Sequence, residues 1–252
     1  MDPARRERLR HLREIGYFAS IERLAKSVCA PLLFRTRRGI LRNGSMTLVA
    51  PGTGFLGLTA GHVAAGIRRH CAGDRPCQLG AVALSPDALI DQRRDPDLAT
   101  FRVDVGVLAA SRHLAFPVAS WPAPAATTKD ILLFGGYPGS LRREGNDQYD
   151  VAFVWFAGRA QSVSQRHMGL VLNIKQSICV GADRVRSNAN LGGCSGGPVF
   201  RIVDEAAKGG QIVRFELVGI VYEYSSRLQL LFAHHLGAIQ SDGRIMGRGG
   251  AA

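Results

Sequence analysis

Residues 193–198 read Gly193-Cys194-Ser195-Gly196-Gly197-Pro198 and run into a β-type stretch, Val199-Phe200-Arg201-Ile202-Val203. This string constrains the chain more than any other. A serine hydroxyl becomes a useful nucleophile only when a base takes its proton and the resulting oxyanion is stabilised. Glycines on both sides let the backbone turn sharply and leave N–H groups pointing into open space. The N–H groups of Gly193 and Ser195 are the natural pair for such an oxyanion hole. A glycine-rich turn between two strands is the plain alternative, so the string gains meaning only if the rest of the chain supplies a base and an acid.

It does. Residues 53–63 form an apolar stretch, read as a strand, that delivers His62 at its end. Residues 95–103 place Asp97 at the head of another strand. Asp95 and Asp104 compete for the same role. Asp104 lies deeper in that stretch, with Phe101 and Val103 alternating before it. The order along the chain is His62, Asp97, Ser195, which differs from the order in α/β-hydrolases and subtilisins. On the strings Leu58-Thr59-Ala60-Gly61-His62-Val63, Asp97-Leu98-Ala99 and Gly193-Cys194-Ser195-Gly196-Gly197-Pro198, the chain resembles the trypsin/chymotrypsin superfamily of serine endopeptidases. The likeness runs over residues 31–240 and is nearest to short bacterial trypsin-like peptidases.

The resemblance implies an all-β fold of two six-stranded antiparallel β-barrels with the site in the crevice between them. It implies that Ser195 attacks a peptide carbonyl, that His62 moves the proton and that Asp97 orients the imidazole. It makes Gly193 and Ser195 the oxyanion donors. Six residues before the serine, Ala189 lines the base of the side-chain pocket, with no carboxylate to pair with a basic residue. The strand Leu217–Tyr222 becomes the wall that pairs with substrate backbone, so Gly219, Ile220, Val221 and Tyr222 are expected to bind substrate. Val221 and Tyr222 suggest a restricted apolar pocket, which Glu223 could alter. No cofactor or metal is implied, and the partner is a polypeptide substrate. There is no activation junction of the Arg-Ile-Val-Gly-Gly kind and no appended peptide-binding domain after the catalytic unit. A protease fold that has lost activity and serves as a binding scaffold is the second reading.

Rival nucleophile readings are weaker. Gly193-Cys194-Ser195-Gly196-Gly197 fits a G-x-S-x-G elbow, but that fold needs a helix directly after the serine and its acid and histidine later in the chain. Here a strand-like run follows, although Asp204 and His234 lie downstream. Cysteine proteases of the same two-barrel type put the cysteine directly before Gly-Gly. Ser195 holds that place here, which makes Cys194 a bystander.

Composition bounds the setting. At 252 residues the chain has ample length for a buried core. No apolar run approaches the roughly 20 residues needed to span a bilayer. The opening Met1-Asp2-Pro3-Ala4-Arg5-Arg6-Glu7-Arg8 is too polar for a secretory signal. Five cysteines, an odd number, do not bracket His62 and Ser195 as disulfides do in secreted relatives, so a reduced, cytoplasmic protein is expected. His70, Cys71 and Cys77 make a poor zinc set. The net charge is +12, and residues 1–43 hold eleven Lys/Arg against four Asp/Glu. An acidic partner or an anionic surface would suit that region; no nucleic-acid motif accompanies it.

The organisation reads as follows. Residues 1–30 form a basic helical extension, with Leu9, Leu12, Ile15, Phe18, Ile21 and Leu24 at three-residue spacing as its apolar stripe. This stripe is expected to pack on the protein's own barrels. Residues 31–120 form the first barrel, with strands at 46–50, 55–59, 78–85 and 99–108. Residues 121–129 are a Pro-rich linker, and 121–245 form the second barrel, with strands at 131–135, 151–158, 168–174, 199–203, 215–222 and 228–233. A short helix is expected at 234–240 and a flexible tail at 246–252.

Overall fold

The computed structural model describes residues 17–52, 54–71, 76–121, 124–145, 149–171, 178–180, 190–207 and 210–247. The N-terminal strands are Cys29–Arg35 (β1), Leu41–Ala50 (β2), Phe55–Thr59 (β3), Cys77–Leu79 (β4), Val82–Leu84 (β5), Leu89–Arg94 (β6), Asp97–Val103 (β7) and Phe116–Pro117 (β8). They form one sheet in the order β5-β4-β1-β2-β3-β7-β6, with β8 beside β2. After it come Leu132–Gly136 (β9), a separate hairpin of Arg142–Glu144 (β10) and Tyr149–Val151 (β11), then Val154–Gly158 (β12), Ala160–Val163 (β13), His167–Val171 (β14), Ile178–Val180 (β15), Pro198–Ala207 (β16), Gly210–Ser225 (β17) and Leu230–His235 (β18). The second sheet runs β13-β14-β18-β17-β16-β9-β12-β15. Two curled, antiparallel half-barrel sheets result, fitting the chymotrypsin-like two-barrel, all-β expectation. Each sheet has eight strands rather than six; in the first, the short β5 adds an edge and the two-residue β8 pairs with β2 off the main order, in parallel.

Several boundaries differ from the sequence reading, each for a local reason. The run 78–85 is two strands, broken where Gly80 takes φ +59°. The strand expected to continue to residue 108 stops at Val103. There the Asp104 carboxylate accepts the Val107 N–H at 2.8 Å and caps a helix, Val105–Ser111. His62 sits not on a strand but in the first turn of a helix, Gly61–His70. The short helix expected at 234–240 is a single 3₁₀ turn, Leu236–Ala238.

Of the basic extension, the helix Tyr17–Val28 (α1) is described. Leu9, Leu12, Ile15 and the arginines at 5, 6, 8, 10 and 13 lie outside the described residues, as does the side chain of Phe18. Ile21, Ala25 and Val28 are buried in one apolar cluster with Leu58, Trp155, Phe200, Leu217, Ile239 and Ile245, and Leu24 packs against it. That cluster draws on both sheets, so the described part of the stripe packs on the protein's own barrels. The chain after the 3₁₀ turn returns to the first sheet. Thr100 Oγ1 donates to the Gly243 carbonyl at 2.5 Å, and the Ile245 N–H donates to Asp91 Oδ2 at 2.9 Å. Among the described residues no helix is long and apolar enough to cross a membrane.

Cys29, Cys71, Cys77 and Cys194 are free thiols. Cys71 and Cys77 hydrogen-bond each other, which lowers the Cys71 pKa and, with burial, raises that of Cys77. Cys179 falls where side chains are not described.

Two outcomes are expected. Ile21 is 1% exposed, so Ile21→Ala should lower the unfolding free energy by about 3 kcal/mol in urea denaturation. A change under about 1 kcal/mol would mean that α1 is not part of the core. Thiol titration in denaturant without reductant should find all five cysteines free; finding three would indicate a bridge, with Cys71–Cys77 the pair in contact.

Candidate active site

The nucleophile loop is held against β2. Ser45 is fully buried, and its N–H donates to the Ser195 carbonyl at 2.8 Å. Its hydroxyl donates to the Gly193 carbonyl at 2.8 Å and accepts the Tyr137 N–H at 2.9 Å. Two residues on, Thr47 Oγ1 donates to the Gly196 carbonyl at 2.8 Å. Because strand side chains alternate, residues 45 and 47 lie on one face of β2 and grip the loop at two points. Glycine is required there. Gly196 has φ +95°, and a Cβ on it would run into the Ser45 carbonyl oxygen, while a Cβ on Gly197 would run into the Gly135 carbonyl oxygen. The glycines thus serve close approach to β2 and β9 as well as the turn.

His62 and Asp97 come together from the helix and from β7. His62 Nδ1 lies 2.7 Å from Asp97 Oδ2, and the His62 backbone N–H donates to Asp97 Oδ1 at 2.8 Å. Both carboxylate oxygens are therefore committed to one residue. This fixes the ring and its tautomer, with the proton on Nδ1 and Nε2 left as the base. Asp104, engaged at its helix cap, takes no part. Gln92 Nε2 donates to the Gly61 carbonyl at 2.7 Å and ties the start of the helix to β6.

His62, Gly193 and Ser195 line one cleft of about 310 Å³ with Phe34, Arg42 and Asn43. The Ser195 hydroxyl donates to the Tyr222 carbonyl at 3.0 Å, so it points toward β17 rather than toward His62. Catalytic hydrogen bonds are often absent before substrate binds, and rotation about one side-chain bond redirects the hydroxyl. Among the described residues, the N–H groups of Gly193 and Ser195 donate to no acceptor. Gly193 has φ +105°, a conformation that aims its amide away from the strand ladder. Cys194 is buried, and burial pushes its thiol up to about 12, so it is not a thiolate nucleophile.

The expected substrate wall is only partly available. Ile220 and Val221 are buried, and Gly219 pairs with Val199 on β16 and His235 on β18. These three residues are paired within the sheet. Strand β16 starts at Pro198, opposite Ile220, so beyond it the edge Tyr222–Ser225 of β17 lies beside Ser195 without β16 cover. Of the expected set, Tyr222 is the residue in contact with Ser195, through its carbonyl. Ala189 lies outside the described residues.

The sequence reading missed His234. Its Nε2 accepts the Asp97 backbone N–H at 3.1 Å, and its ring stacks on Tyr222 at 4.1 Å. The second sheet thereby supports the acid carried by the first. Only its place at the end of an apolar strand marked it in sequence, and that signal is shared with ordinary core histidines. Burial lowers its pKa from 6.5 to about 4, against opposing pulls from the Arg166 carbonyl, Asp97 and Asp95 and with a small push from His167. His234 is neutral at pH 7 with its proton on Nδ1. Because the folded state takes up the second proton, on Nε2, less readily than the unfolded chain, His234 contributes full stability above about pH 6.5 and loses it as pH falls toward 4. His234→Asn keeps a neutral acceptor and should flatten the fall in urea midpoint between pH 7 and 4.5; an unchanged acid profile would refute this role.

No protein-family model matches the chain, and no curated protein sequence matches it. Among solved structures, the chain is similar to a thermostable serine protease, AL20, from an extremophilic microorganism, with 17% identity over 84% of this chain and 93% of that one and a TM-score of 0.45. It is similar to the serine endoprotease of Yersinia pestis, with 16% identity over 84% of this chain and 60% of that one and a TM-score of 0.47. It is also similar to the serine protease domain of the Sesbania mosaic virus polyprotein, with 12% identity over 86% of this chain and 93% of that one and a TM-score of 0.46.

Proposed function

We propose that the protein is a serine endopeptidase in which Ser195, His62 and Asp97 act as nucleophile, base and orienting acid. The observation that carries this reading is the doubly held pair. Asp97 binds His62 through both Nδ1 and the backbone N–H, in the same cleft as a serine flanked by two amides without acceptors.

In the proposed reaction, Ser195 Oγ turns from the Tyr222 carbonyl to His62 Nε2 and gives up its proton there as Oγ bonds to the scissile carbonyl carbon. The carbonyl oxygen, now an anion, accepts the Gly193 and Ser195 N–H groups. The C–N bond breaks, the amine leaves with the proton from Nε2, and an ester on Ser195 remains. Water then attacks the ester, passes a proton to Nε2, and the hydroxyl is restored as the acid product departs. Asp97 stabilises the imidazolium at each proton transfer. The acyl portion of the substrate lies along the Tyr222–Ser225 edge of β17.

A protease-fold binding module is the second reading. The observation favouring it is the bond from the Ser195 hydroxyl to the Tyr222 carbonyl, which holds the hydroxyl away from the base. A fluorophosphonate probe separates the two. Labelling of the native chain that is lost in Ser195→Ala and His62→Ala is the expected result for the enzyme. Asp97→Asn should keep the fold and slow turnover by on the order of 10⁴-fold. An unlabelled native chain, or labelling that persists in Ser195→Ala and vanishes in Cys194→Ala, would remove Ser195 from the role.

A further inference from the structure

We propose that the arginine-bearing hairpin joining β1 and β2 is the leaving-side recognition surface of this site, and that it takes polypeptide segments carrying aspartate or glutamate just after the bond to be cut. The inference rests on the reading of Ser195 as nucleophile for its direction; the charge complementarity stands on the hairpin itself.

The hairpin is rigid. Seven residue pairs run from Cys29↔Thr47 to Arg35↔Leu41. Its tip is closed by Thr36 N–H to the Ile40 carbonyl and Gly39 N–H to the Thr36 carbonyl, both 2.9 Å, with Gly39 at φ +77°. The sequence across it, Arg35-Thr36-Arg37-Arg38-Gly39-Ile40-Leu41-Arg42, puts four exposed arginines on one short loop. Arg35 is held in place: it donates to the Gly39 carbonyl at 2.7 Å and to the Tyr149 hydroxyl, and its guanidinium sits over the Tyr149 ring. Among the described residues, Arg37, Arg38 and Arg42 form no ion pair. Three cationic groups thus stand without a counter-charge on a preorganised frame.

The hairpin also leads away from the nucleophile. The cleft that holds His62 and Ser195 is lined by Phe34, Thr36 and Arg42. A second cleft of about 400 Å³ is lined by Phe34, Thr36, Arg35 and Arg37. Phe34 and Thr36 are common to both, so the two clefts adjoin at these residues, and the proposed trough runs from Ser195 across them toward the hairpin. Among the described residues, neither cleft is lined by an Asp or a Glu, and no residue of β17 lines either one. With the acyl portion along the β17 edge, the chain departing with the amine enters this trough. An extended segment advances about 3.3 Å per residue, so the first few residues after the cut would meet Arg42 in the first cleft and Arg37 in the second, with Arg38 exposed beside Arg37 at the tip. Arginine matches carboxylates by paired N–H donors and stays charged at any working pH. A nucleic acid is the less favoured occupant, because the trough ends at a nucleophile and Tyr149, the ring at the tip, is covered by Arg35.

The test uses the whole Ser195→Ala chain and two fluorescein-labelled hexapeptides, Gly-Glu-Asp-Glu-Asp-Gly and its neutral counterpart Gly-Gln-Asn-Gln-Asn-Gly, read by anisotropy. The acidic peptide should bind at least about tenfold more tightly at about 50 mM salt, with the advantage largely gone at about 500 mM. Arg37→Glu combined with Arg38→Glu should abolish or reverse the preference. Arg68→Glu combined with Arg69→Glu changes the net charge equally, far from the hairpin in sequence, and should leave the preference in place. No preference up to millimolar peptide would overturn the proposal. So would equal loss in the two double variants, or tighter binding of a six-nucleotide single strand than of the acidic peptide. Fluorophosphonate labelling of the native chain reports separately on Ser195. An unlabelled chain that still shows hairpin-dependent binding fails as an enzyme and keeps the acidic-peptide surface.

Discussion

The site depends on the contact between β2 and the nucleophile loop. Ser45 and Thr47 are buried hydroxyls whose bonds go to the backbone of Gly193, Gly196 and Tyr137, and the Ser45 amide binds the Ser195 carbonyl. A buried backbone carbonyl without a donor costs roughly 1–3 kcal/mol, so the loop is stable in this shape only while the first sheet supplies those donors. The Ser195 loop belongs to the second sheet in sequence and to both sheets in its hydrogen bonding. His234 repeats the arrangement from the other side, accepting the amide of Asp97. Each sheet stabilises the reactive segment of the other, which gives the cleft one geometry without a covalent link between them.

This cross-bracing sorts what was legible in the sequence. Ser195, His62 and Asp97 could be found because each sits in a string with an unusual local demand: glycines at an open turn, a histidine after Thr59-Ala60-Gly61, an acid after Asp95-Pro96. Their supports could not. Ser45 and Thr47 are ordinary residues of a β-strand until the loop packs on them, and His234 reads as a core histidine. The misplaced elements also have physical causes. Val105 and Val107 favour a strand by their side chains, but the Asp104 cap decides for helix. The helix after Gly61 has no side-chain N-cap, so nothing in the residues announced its start. Gly219, Ile220 and Val221 looked like a pocket wall because an apolar strand beside a nucleophile suggests one; pairing on both edges of β17 turns them inward.

The distribution of charge fits the same division. Around His62 the structure sets one oriented carboxylate, Asp97, whose amide is bound by His234, kept neutral by burial. Positive charge is confined to the rim, where water screens it and a long substrate can reach it. Excess arginine near the N-terminus is visible in the sequence, but the pairing of β1 with β2 is what brings Arg35, Arg37 and Arg42 to the two adjoining clefts.

The return of residues 239–245 to the first sheet has a kinetic consequence. Ile239 and Ile245 share a core with Ile21 and Leu58, the Gly243 carbonyl accepts from Thr100 on β7, and the Ile245 N–H donates to Asp91 on β6. Strand β7, which begins at Asp97, is therefore finished by residues made some 140 positions later, a separation that makes its closure slow relative to local structure. During synthesis the first barrel leaves the ribosome with this seam open. Both sheets are thus already made when residues 239–245 close onto β6 and β7.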